Sequence, residues 1–258
     1  MKKVRFAALV AAAVVIGGLR PGFAEPSNAA APGPLPTPGY YGFIAGGYTG
    51  GKVYNEFSSG QKDSRSSSYV ASGAYLLDRL AFKVDIRQDQ YDSTDNTGLG
   101  LTVAPTIGGG ASIGPVFTGR QTTFDGRLEL QLLDPHLYAG LGYLQSVNNY
   151  GNPHLRGAGV GLEKLPDFNG PLGVHFSAFY YPNVSGTYTV SDSSSANFGN
   201  SYVQAYKLIK YDLGFDVPIT QTPVYVNGGF SGDRFYAKAN AARDQTHSGP
   251  YVGLGLHF

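Results

Sequence analysis

From Tyr40 to the C-terminus, apolar side chains recur at every second position. Leu80, Phe82, Val84 and Ile86 alternate with Ala81, Lys83, Asp85 and Arg87. Leu128, Leu130 and Leu132 alternate with Arg127, Glu129 and Gln131. The same rhythm returns in Leu172, Val174, Phe176, Ala178 and Tyr180 and in Ile209, Tyr211, Leu213, Phe215 and Val217. It closes the chain with Val252, Leu254, Leu256 and Phe258. A period of two belongs to extended strands with one apolar and one polar face. No helical period of comparable clarity follows residue 24, so the pattern predicts an all-β chain.

The connections are of two kinds. Asp78-Arg79, Asp134-Pro135 and the segments 166–171 and 218–223 are short and rich in turn formers. Longer polar stretches lie between them at 61–67, 92–96, 148–154, 191–200 and 238–248. Each interval between short turns has room for two strands of about 9–11 residues and a loop. Five such hairpins give ten strands. An extra hairpin through residues 100–107 would raise the count to twelve, and failure of 40–49 or 157–165 to form a strand would lower it to eight.

Composition narrows the class. The chain has 37 Gly and 19 Tyr, with only 14% charged residues, which fits a β protein. Lys2, Lys3 and Arg5 precede an apolar run from Phe6 to Gly18, and Gly22-Phe23-Ala24 offers a small-residue cleavage site. Residues 1–24 therefore read as a secretory signal peptide, with an apolar run too short to span a bilayer. Residues 25–39 read as a Pro/Ala-rich periplasmic linker, leaving 40–258 as the folded part. Loss of residues 1–24 removes four basic side chains and leaves 15 Lys+Arg against 18 Asp+Glu. That balance argues against a nucleic-acid partner. The absence of cysteine excludes a disulfide scaffold, a thiolate metal site, a cysteine nucleophile and a lipidated N-terminal cysteine.

Short turns at one end and long polar loops at the other are the pattern of a closed antiparallel up-and-down transmembrane β-barrel. Its polar row carries charge in mid-strand: Lys83, Asp85, Arg87, Asp125, Arg127, Glu129, Glu163, Lys210, Asp212 and Asp216. In a membrane these must turn into the lumen as an ion-pair network or a pore lining. Tyr41, Tyr91, Tyr180, Tyr211 and Tyr251 lie near strand ends, where aromatic girdles are expected. The final segment, with Val252, Leu254, Leu256 and a terminal Phe258, resembles the C-terminal strand of bacterial outer-membrane β-barrel proteins. The resemblance covers residues 40–258 as a class and implies an outer-membrane location. It also implies contact with outer-membrane lipids and reading of the last strand by the barrel-assembly machinery. The last strand would pair with the first, because an open edge in lipid leaves backbone groups unsatisfied at several kcal/mol each.

Two constellations could carry chemistry. His175 and Ser177 share one strand face and resemble the His-x-Ser pair of lipid A deacylase barrels, where His activates Ser for acyl transfer. The Asn that usually follows is Ala178 here, and no Glu occurs after Glu163. Asp89, Asp92 and Asp95 with His154 and His247 could gather at the loop rim as in omptin-type proteases. No Asp-x-His or His-x-Asp occurs, and solvated loop carboxylates are the plainer expectation. Gly157 to Gly161 is no nucleotide fingerprint, since Leu162 stands where the third Gly would fall. No catalytic, cofactor-binding or metal site is expected. The expected role is a barrel with a largely filled lumen, structural or interacting with an extracellular ligand through its loops. The alternatives are a narrow, porin-like channel for ions or small solutes and a surface enzyme acting on lipid A or peptides.

Overall fold

The computed structural model describes residues 39–258 apart from 50–60, 64–65, 96–100, 104–110, 114–115, 134–135, 150–152, 191–192, 195 and 242–243. Its strands are β1 (Gly39–Thr49), β2 (Gln61–Asp63), β3 (Ser66–Leu77), β4 (Leu80–Asp95), β5 (Leu101–Val103), β6 (Ala111–Ile113) and β7 (Val116–Leu133). There follow β8 (Leu137–Asn148), β9 (Leu155–Lys164), β10 (Gly173–Thr189), β11 (Ser201–Pro218), β12 (Val224–Ala237) and β13 (Gln245–His257). The proposed signal peptide and the linker up to residue 38 lie outside the described residues, as do Asp134-Pro135.

Ten of these strands close a ring, every neighbour antiparallel. β1 pairs with β3 on one side and β13 on the other, β3 pairs with β4, β4 with β7, and β7 to β13 pair in succession. The first and last barrel strands seal the cylinder through pairs such as Gly42↔Leu256 and Ile44↔Leu254. The three short strands stay out of the ring. Among the described residues β2 pairs with the far end of β4 alone, and β5 and β6 form a separate hairpin. The long interval between 78 and 134 thus holds two long barrel strands with a small hairpin between them, which settles the count at ten.

Local chemistry sets the connections. Asp78 (φ 52°) adopts the left-handed conformation that a tight hairpin demands, and Gln221 (φ 63°) does the same between β11 and β12. There the Thr222 hydroxyl donates to the Ile219 carbonyl at 2.9 Å and accepts from the Val224 amide at 3.2 Å. In β10 the register slips between Tyr181 and Val184. Pro182, which has no N–H to give the ladder, and Asn183 are both exposed at that bulge.

The apolar row faces outward. Leu213 and Leu254 are 61% and 60% exposed, while the inward Lys83 and Asp125 are 9% and 0% exposed. Leu80, Phe82, Leu128, Leu130, Val174, Phe215, Val252 and Phe258 join the exposed belt. Two tyrosines expected in the outer girdle belong inside instead: Tyr41 and Tyr251 are buried on the inward rows of β1 and β13. Tyr180 is exposed on the outer face, and the Tyr91 side chain lies outside the described residues. Glycines on the inward rows make room for such rings. A side chain at Gly255 would collide with the Tyr225 ring, and one at Gly214 with the imidazole of His175.

Candidate functional site

The inward rows fill the lumen in tiers. At the short-turn end, the connection between β9 and β10 does not turn tightly but tucks inward. Leu165 is fully buried and Pro166 is buried beside it. The Phe168 ring stacks on His257, with centroids 4.4 Å apart and planes within 9°. It also lies 4.7 Å from Tyr225 and 6.1 Å from Tyr41. Sequence reasoning treated 166–171 as an ordinary turn. The aromatic residue in its centre was the available signal that the loop would plug an opening lined by Tyr41, Tyr138 and Tyr225.

Above this cap lies an ionic tier. Arg127 on β7 donates to Glu163 on β9 at 2.6 Å and contacts Asp125 at 2.7 Å and Asp85 at 2.9 Å. Lys83 on β4 pairs with Glu163, and Lys210 on β11 pairs with Asp125 at 3.0 Å. Tyr181 adds a hydroxyl donated to Asp125 at 2.5 Å, and the Arg127 guanidinium lies 3.9 Å above the Phe179 ring. Three cations therefore meet three carboxylates, most of them buried. Such a cluster is tolerable only when each charge has partners on several sides. Glu129 is buried in the same region but forms no ion pair among the described residues.

His175 belongs to a second group. Its Nδ1 lies 2.5 Å from Asp216, and its Nε2 is 2.8 Å from the Tyr251 hydroxyl and 3.1 Å from Asp212. Tyr251 in turn donates to Asp212 at 2.9 Å. Both ring nitrogens are thus taken by β11 carboxylates and a tyrosine, and neither is bonded to Ser177. Ser177 does face the lumen, but the two do not make a nucleophile–base pair.

A third group lies nearer the long loops. Arg87 holds Asp89 through Nε and Nη2 at 2.8–3.0 Å and donates Nη1 to Ser231 at 2.7 Å. Across the β12–β13 ladder His247 and Asp233 are direct partners, with Nδ1 2.6 Å from Oδ1. Asp89 and His247, expected on a solvated rim, are instead buried and brought together by barrel closure. His154 is exposed away from them, and the side chains of Asp92 and Asp95 lie outside the described residues. Asp233 was not foreseen, because its meeting with His247 depends on register. Asp89, Asp233 and His247 each bring one ligand atom within 4.8 Å of the others. Asp89, its oxygens held by Arg87, thus stands beside the Asp233–His247 pair.

The upper lumen also holds an apolar cluster of Leu144, Leu155, Val184, Tyr206, Leu208 and Phe235, with the buried amides of Gln121 and Gln245 bonded to Ser146 and to the Tyr206 hydroxyl. A cavity of about 40 Å³ remains beside Lys83, Asp85, Arg127, Glu163, His175 and Ser177. That is space for a few water molecules.

No family model matches the chain, and no curated protein matches it. Among solved structures it is similar to Neisserial surface protein A, with 13% identity over 85% of this chain and 97% of that one, at a TM-score of 0.35. It is also similar to the outer membrane protease OmpT from Escherichia coli, with 12% identity over 86% and 95%, at a TM-score of 0.42.

Proposed function

We propose that this chain is a bacterial outer-membrane β-barrel with a closed lumen. It serves as a structural or surface-interaction element, and its working surface is the set of long loops. The carrying observation is the set of charged ties across the lumen, from β4 to β9, from β7 to β11 and from β4 to β12. They occupy the path a solute would take, and the Phe168 cap lies beneath them. The outward apolar belt supports contact with lipid hydrocarbon, and the exposed row of Val252, Leu254, Leu256 and Phe258 supports recognition of the last strand by the assembly machinery. The short turns would then face the periplasm and the long loops the outside, where a ligand would bind.

The test is electrical. Purified barrel reconstituted in a planar bilayer should leave the membrane silent, while a porin control conducts. Steady single-channel steps from the folded protein would instead make it a narrow channel for ions or small solutes. Hydrolysis of lipid A or peptide by the same preparation, lost on Ser177→Ala, would make it an enzyme.

A further inference from the structure

The outward rows are apolar until they approach the long-loop end, where β11 and β12 change character together. On β11 the row Val217, Phe215, Leu213, Tyr211, Ile209 reaches Lys207, with buried Ala205 and exposed Val203 beyond it, and on β12 the row Val226, Phe230 ends in Arg234 and Tyr236. Lys207 is the direct cross-strand partner of Tyr236. Its ammonium lies 4.8 Å from the centre of that ring, and the Arg234 guanidinium lies 4.6 Å from it. One tyrosine thus holds two like charges side by side on the outer wall. Neither forms an ion pair among the described residues. The adjoining carboxylate of Asp244 is engaged by the Ala237 amide at 2.8 Å.

Two hydroxyl side chains lie on the neighbouring strand β13. Thr246 stands opposite Arg234 on β13 and Ser248 opposite Gly232. Gly232 leaves a slot across which Tyr211 lies, since a Cβ there would come within 2.6 Å of the Tyr211 hydroxyl. Height matters as much as composition. About ten residues separate Val217 from Lys207 and Val226 from Tyr236. At about 3.3 Å per residue and a tilt of about 40°, this is roughly 25 Å, the height of the apolar band of such barrels. The cations therefore sit at the level where hydrocarbon gives way to headgroups. A pair of like charges held together there is favoured by an anion between them.

We infer that Lys207, Arg234 and Tyr236, with Thr246 and Ser248, form a binding site for the phosphate of a lipid headgroup in the leaflet at the long-loop end. Arg234 and Lys207 donate to the phosphate oxygens, the hydroxyls complete its shell, and the acyl chains lie along Ile209, Leu213 and Phe230. The inference rests on the membrane orientation proposed above.

The test uses the folded full barrel in vesicles and detergent, with diphosphoryl lipid A and its dephosphorylated form as probes. Native mass spectrometry counts retained lipid for the wild type, for K207Q/R234Q and for R79Q, a control at the opposite end. Folding is checked separately by the heat-modifiable gel shift after insertion into phosphatidylcholine vesicles. The expected result is retention of the phosphorylated probe by the wild type and R79Q, with a drop of roughly tenfold or more in K207Q/R234Q and for the dephosphorylated probe. Equal retention by K207Q/R234Q, or indifference to the phosphates, overturns the site while leaving the barrel reading intact. A chain that does not insert at all overturns both.

Discussion

Lys210 on β11 reaches Asp125 on β7 at 3.0 Å, although β8, β9 and β10 stand between those two strands in the wall. The contact can only be made through the lumen, and it fixes the distance between two sides of the cylinder. Removal of the amine leaves a fully buried carboxylate with one cation fewer. Lys210→Met is expected to lower the unfolding free energy in detergent by roughly 3 kcal/mol. Asp125→Asn in the same chain should restore part of the loss. Guanidinium titration of the heat-modifiable form measures both.

Phe168 closes the short-turn end by stacking, with no ionic partner. Phe168→Ala should cost roughly 1–3 kcal/mol, because the ring is partly buried and its aromatic contacts are lost. The variant should stay silent in a planar bilayer, since the ionic tier above the cap is untouched. Current through Phe168→Ala would mean that the loop alone seals the barrel.

Glycine positions separate the crowded inner wall from the open outer one. Gly255→Ala drives a methyl group into the Tyr225 ring and should destabilise by about 1–3 kcal/mol. Gly126→Ala meets nothing within 4 Å and should change stability little. Equal thermal midpoints for the two variants would contradict the assignment of inside and outside at these positions.

His175 and Ser177 make opposite predictions under the structural and the enzymatic reading. His175→Ala strips Asp212 and Asp216 of their shared partner and should lower the thermal midpoint markedly. Ser177→Ala should be nearly neutral. Neither should alter turnover of lipid A or peptide, which an assay of both variants beside the wild type checks.

The ring of ten strands was legible because alternation survives wherever lipid and lumen demand opposite polarity, as in β4, β7, β11 and β13. β12 hid its pattern: Tyr225 and Phe235 sit on the inward row beside Asn227 and Asp233, so apolar character does not mark its outer face. Tyr41 and Tyr251 misled for a related reason. A phenol suits a membrane interface and a crowded lumen equally well, and position near a strand end does not distinguish them. The charged positions of the polar row could be named from the sequence, but their partners could not. Lys83 with Glu163, and Asp233 with His247, meet through ring closure and register, which no local pattern encodes. Phe168 and the Lys207–Tyr236–Arg234 clamp were missed because each lies outside the alternating runs or at their ends.

The most direct measurement of which way the wall faces uses the native lack of cysteine. Single cysteines placed at Leu213, Phe230, Val252 and Leu254, and at the inward Ser177 and Ser231, can carry spin labels on barrels in lipid vesicles. Relaxation by oxygen and by a water-soluble nickel chelate then reports each environment. Labels at the first four positions should be strongly relaxed by oxygen and little by the chelate, and labels at the last two should be shielded from both. Strong chelate contact at Leu213 and Leu254 would place that row in water and contradict the account at its root.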